Sequence, residues 1–118
     1  MENLTSEKYW DNIINQSLLR FCLLIVLEKE ELHGYVIPEK IKEFSHDACP
    51  TPSPGSLYNT LNALEKNEYV KSRLIKKHGR QRKVYHLSSK GRQALESATK
   101  AWSRTTFLIA KTCIYKQW

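Results

Sequence analysis

Three helical patterns, a strongly basic pair of alternating strands and a lone terminal helix, in that order, predict a mainly α fold carrying a small β-hairpin. The length fits one domain, since 118 residues can bury a core without disulfide or metal staples. Composition agrees: 41% hydrophobic, 26% charged, and only four Gly and four Pro exclude collagen-like, low-complexity and disordered classes.

Residues 7–30 read as a long helix. Tyr9, Trp10, Ile13, Ile14, Ser17, Leu18, Phe21, Leu24, Ile25 and Leu27 recur at i, i+3, i+4 spacing. Ser6 followed by Glu7 offers an N-cap with favourable dipole charge. So wide a stripe buries more than one side, against the chain's own core and against a partner chain. Leu32-His33-Gly34-Tyr35 breaks this helix and starts a second, running to Phe44, with Tyr35, Ile37, Ile41 and Phe44 as its apolar face. Pro38 falls in the first turn, where its missing N–H is one of the groups a helix leaves unpaired anyway. Residues 45–54 form a stiff connector, because three prolines in five residues forbid helix and central strand alike.

Ser53 and Pro54 open the third helix as N-cap and first helical residue. At about 100° per residue, Leu57, Leu61 and Leu64 share one narrow arc and form its buried face. Gly55, Asn59, Asn62 and Lys66 lie opposite, with Ser56 and Ala63 flanking them. Surface helices ordinarily carry Glu and Lys there. This face holds small and amide side chains until Lys66, a surface suited to reading something.

Residues 70–77 and 82–88 alternate as strands, with Val70 and Leu74 pointing the same way as Tyr85 and Leu87. His78-Gly79-Arg80-Gln81 is the expected turn. From Ser89 to Tyr115 runs one helix, with Ser88 or Ser89 as N-cap. Leu95, Ala98, Trp102, Thr105, Ile109 and Thr112 repeat at 3-4-3-4-3, the spacing of a helix-to-helix seam. The whole order is that of a winged helix-turn-helix with a dimerisation helix appended. Residues 1–88 would form the DNA-binding domain and residues 89–118 the dimerisation helix.

Charge sharpens the functional expectation. The chain carries 19 Lys and Arg against 12 Asp and Glu, a net of +7. Residues 1–65 hold five basic and ten acidic side chains, whereas residues 66–92 hold ten basic ones against Glu68 alone. A positive block on a strand-turn-strand points to a polyanion, and double-stranded DNA fits the fold. Asn59 and Asn62 are the expected base contacts, since an amide donates and accepts together and pairs with adenine N6 and N7. Ser53, Ser56 and Tyr58 are placed for phosphate oxygens, helped by free N–H groups at the helix start. Lys66 completes that surface. Arg80, Arg82 and Lys83 near the hairpin tip would grip phosphate or enter the minor groove. Trp102, bulky and on the seam, would face its twin across a two-fold axis and form an apolar slot for a small planar aromatic effector.

Four blocks also resemble the PadR family of transcriptional regulators. They are Leu32-His33-Gly34-Tyr35; Ser53-Pro54-Gly55-Ser56-Leu57-Tyr58 with Leu61, Leu64 and Glu65; Gly79 to Leu87; and Lys90-Gly91. The similarity spans roughly residues 18–92. It implies a prokaryotic repressor that binds pseudo-palindromic operators as a homodimer through its N- and C-terminal helices and often answers to a small molecule. Pro38 departs from the helix former usual in the family, and Asn59 and Asn62 replace its more frequent Arg or Lys.

Other classes fit poorly. His33, His46, His78 and His86 show neither the i, i+4 pairing nor the Cys neighbours of a zinc site. Cys49 near His46 has no evident orienting acid, and there is no Gly-rich phosphate loop. We therefore expect neither enzyme activity nor cofactor. Cys22, Cys49 and Cys113 are odd in number and far apart, as reduced intracellular thiols are. Cys22 falls on the buried stripe. The longest apolar run, Phe21 to Leu27, is too short to cross a bilayer, and no signal peptide precedes it, so the expected setting is cytoplasmic, with no membrane partner. The rival reading is a winged-helix module for protein contacts or for nonspecific, architectural DNA binding.

Overall fold

A computed structural model describes residues 2–45 and 53–115, with side chains as far as Cys113. Most of the proline connector, and His46 and Cys49 with it, lies outside the described residues.

The chain runs α1 (Glu7–Lys29), β1 (Leu32–His33), a single 3-10 turn (Gly34–Val36), α2 (Ile37–Ser45), α3 (Pro54–Lys66), β2 (Val70–Lys77), β3 (Arg80–Leu87) and α4 (Ser89–Tyr115). The strands form an antiparallel sheet in the order β1-β3-β2. This is a helix-turn-helix with a winged sheet. Its core gathers one face of each element: Leu23 and Leu27 from α1, Ile37 and Ile41 from α2, Leu57 and Leu61 from α3, Val70 and Leu87 from the hairpin. Cys22 is buried there as expected. Deep apolar burial of this kind is worth about 1.5–3 kcal/mol per side chain.

Several expectations change. The two-residue β1 is an addition: Leu32 pairs with Tyr85 and His33 with Val84, so the segment read as the start of a helix adds an edge strand. Tyr35 therefore precedes α2, and it is 57% exposed, as Phe44 is at 41%; only Ile37 and Ile41 remain as the buried face of α2. The hairpin is tighter than read. Lys77 pairs with Arg80, leaving His78 (φ 52°) and Gly79 (φ 76°) as the whole turn. Two positive φ values are what a two-residue turn needs to match the strand twist. Arg80 and Gln81 thus belong to β3. Leu74 does not join the core. It lies opposite Lys83 and is 61% exposed, because the hairpin has already left the body at that level.

The caps hold in two of three cases. Ser53 Oγ accepts from the Ser56 N–H at 3.2 Å, and Ser88, not Ser89, caps α4 by accepting from the Gly91 N–H at 3.0 Å. Ser6 occupies the N-cap position of α1 without a side-chain hydrogen bond.

The two long helices split into halves. By length and average apolarity α1 could cross a bilayer, but its second half, Cys22–Leu27, is built into the core, while Trp10, Ile13 and Ile14 in its first half stay exposed. On α4, Leu95, Ala98 and Trp102 are half-buried, whereas Thr105, Ile109 and Thr112 are exposed. Phe107, Leu108 and Ile109 are consecutive and exposed, so the apolar surface wraps round this end of the helix.

Candidate nucleic-acid interface

Helix α3 stands with Leu57, Leu61 and Leu64 in the core and its opposite face open. Asn59, Asn62 and Lys66 are exposed on that face, and among the described residues none of the three side chains has an intramolecular hydrogen bond or ion pair. Their donors and acceptors are free for another molecule. At the helix start Ser53 Oγ also donates to Ser56 Oγ at 2.9 Å, which fixes both hydroxyls in place beside the first turn. Tyr58 lies on the flank, 37% exposed, its hydroxyl donating to the Gly34 carbonyl at 3.3 Å.

The hairpin projects beside α3, and alternation divides its cations between two faces. Arg80 and Arg82 point to the outer face. The Arg82 guanidinium stacks 5.0 Å from the centre of the Tyr35 ring. Arg73, on the same face, donates to Glu31 Oε2 at 2.7 Å; that bond lowers the Glu31 carboxyl from its usual range. Lys83 points inward. Its ammonium lies 3.2 Å from Glu65 Oε1, near the C-terminal end of α3, and Ser72 Oγ donates to the other carboxylate oxygen. The Ser72 bond and then Lys83 depress the Glu65 pKa, while the bond to Glu65 raises that of Lys83. Of the three hairpin cations expected to face DNA, Arg80 is open, Arg82 is stacked, and Lys83 is tied to α3.

Sequence reasoning missed this tie, and missed Tyr35 as the support of Arg82. Glu65 offers one signal in retrospect: it is an acid on the flank of α3 that turns toward a hairpin crowded with cations. Trp102 lies away from this surface, stacked on Phe21 of α1 at 5.7 Å between ring centres, where α4 crosses α1.

Residues 23–97 match the family described as transcriptional regulator PadR-like. Solved structures agree. A protein from Streptococcus mutans is 30% identical with a TM-score of 0.72, covering 83% of this chain and 88% of its own. A PadR-like transcriptional regulator from Bacillus cereus is 26% identical with a TM-score of 0.70, covering 82% and 92%. PadR of Bacillus subtilis, solved in complex with operator DNA, is 25% identical with a TM-score of 0.62, covering 70% of this chain and 46% of its own. No curated protein matches the chain.

Proposed function

Taking as premise that the chain belongs to the PadR-like family of transcriptional regulators, we propose that it is a sequence-specific repressor that binds a pseudo-palindromic operator as a homodimer in the cytoplasm. The observation that carries this reading is the exposed face of α3, uncharged as far as Lys66, with the amides of Asn59 and Asn62 unspent inside the protein, set beside a cationic hairpin. The Bacillus subtilis relative bound to operator DNA supports it.

Each part has a physical role. Asn59 and Asn62 read base edges in the major groove, favouring an A·T pair in each half-site. Ser53, Ser56 and Tyr58 hold the flanking phosphates at the start of α3, and Lys66 follows the backbone at its end. Arg80 and Arg82, on one face of the wing, lie along the sugar–phosphate chain or the minor groove. The exposed Trp10, Ile13 and Ile14 of α1 and Phe107, Leu108 and Ile109 of α4 bury one another across the two-fold axis. In this arrangement residues 1–88 are the reading unit and residues 89–118 the joining helix. Trp102, with its twin, lines a slot for a planar aromatic effector that releases the DNA.

Selection of bound duplexes from a random pool tests the central claim: the expected return is a half-site repeated about an axis, roughly one helical turn apart. If each chain neutralises about four phosphates, the logarithmic salt slope is about −7 for the dimer. Equal binding of every duplex would favour the nonspecific reading, and a slope of zero would remove DNA binding altogether. Titration of planar aromatic compounds against Trp fluorescence, with Trp102→Ala as control, tests the effector slot.

A further inference from the structure

Resting on the DNA-binding reading, one contact carries a further inference: the junction where the hairpin leaves the body. Glu65 is the penultimate residue of α3, the helix proposed to read bases. Its carboxylate reaches across to the inner face of the sheet and engages one residue from each strand, Ser72 on β2 and Lys83 on β3. In the strand register Ser72 stands opposite Tyr85, and Lys83 opposite Leu74. Tyr85 is 5% exposed and Leu74 is 61% exposed. The core therefore ends between these two rungs, and Glu65 grips the hairpin at that boundary. On the outer face at the same level, Arg82 lies against Tyr35. Toward the turn, among the described residues, neither strand forms a hydrogen bond or ion pair with another element.

We propose that Glu65 is a specificity-determining positioning residue, which sets the angle between α3 and the wing and withholds the Lys83 charge from the phosphate backbone. Two consequences follow from one carboxylate. A wing fixed relative to α3 can meet the backbone only when α3 sits in one register in the groove, so the brace links wing contact to correct reading. A lysine engaged 3.2 Å from a carboxylate contributes little to the sequence-independent attraction that every duplex exerts. The brace thus acts against nonspecific binding as well as for specific binding, because it withholds an attraction that every duplex would share.

The signature is a pair of effects of opposite sign, which a merely structural residue would not produce. Glu65→Gln keeps the side-chain shape and removes the charge. In the full-length protein it should tighten binding to a random-sequence duplex by severalfold and lower the ratio of selected-site to random-duplex affinity at least about tenfold. The freed Lys83 should steepen the salt slope by about one per chain. Lys83→Met breaks the same brace without freeing a cation: the affinity ratio should fall while the salt slope stays at the wild-type value. The double variant should combine the low ratio with the wild-type slope. Thermal unfolding of each variant keeps loss of fold distinct from loss of brace. A shallower slope in Lys83→Met would show that Lys83 contacts phosphate, and an unchanged affinity ratio in Glu65→Gln would show that the brace sets no specificity; either result overturns the proposal. Failure of the wild-type protein to prefer any duplex would instead overturn the DNA-reading premise, and this inference with it.

Discussion

The winged body and the far ends of the two long helices follow opposite rules of burial. Within the body Leu23, Ile37 and Leu61 are fully enclosed, each by side chains from several elements. At the ends, Trp10, Ile13 and Ile14 of α1 and Phe107, Leu108 and Ile109 of α4 remain between 42% and 74% exposed. Both regions are helical and apolar, so propensity does not separate them. What separates them is whether the partner surface is supplied by the same chain. The body encloses most of its apolar side chains, whereas the ends leave theirs open, as the proposed dimer requires.

The comparison can be broken most forcefully inside the body. Leu61→Ala should cost about 2–5 kcal/mol in urea unfolding, the range for emptying an enclosed leucine site; a loss below about 1 kcal/mol would mean that the body is less finished than described. At the ends, Ile13→Asp should weaken self-association by about 2–3 kcal/mol in sedimentation equilibrium while leaving the far-ultraviolet dichroism of the body unchanged. Loss of both together would show that the body depends on the partner.

Smaller effects are expected at the open face of α3 and in the wing. Asn62→Ala should relax discrimination at one base step by about 1–3 kcal/mol in competition binding, with no change in melting temperature. Gly79→Ala should cost about 1–2 kcal/mol in stability, because a φ of 76° is strained for a residue with a Cβ although space around it is open. The smallest effect is on pH. The folded state depresses the Glu65 pKa, so its stabilisation is present above the unfolded carboxylate value, about 4.3, and is lost as pH falls through the folded value. For a half-exposed contact this amounts to less than about 1 kcal/mol. The stability gap between wild type and Glu65→Gln should therefore close on acidification and stay constant from pH 6 to about pH 8.

The sequence made most of the fold readable wherever a long periodic pattern or a cap was present. The arc of Leu57, Leu61 and Leu64, the Ser53-Pro54 start and the alternation around Tyr85 and Leu87 all stand where the pattern puts them. What escaped was set by neighbours. The pairing of Leu32 and His33 with β3 involves too few residues to leave a period, and Leu74 alternates correctly yet stands where no element covers the sheet. On the candidate surface, residue type pointed to Asn59, Asn62 and the wing cations, but not to which cation would be drawn inward. Lys83 and Arg82 are adjacent and chemically alike. Only strand parity, and the carboxylate that happens to wait on one side, assign them to different partners.

The start of α4 has a mechanical consequence. Ser88 Oγ donates between the Glu68 and Tyr69 carbonyls while capping α4, and Lys90 Nζ donates to the Asn67 carbonyl at 2.8 Å. Gly91 packs so closely that a Cβ there would lie 2.1 Å from the Tyr69 carbonyl oxygen. The last wing strand thus passes into α4 through a welded corner with no slack. Through Asn67, Glu68 and Tyr69, which join the end of α3 to β2, this corner ties the start of α4 to the foot of α3 and the root of the wing together.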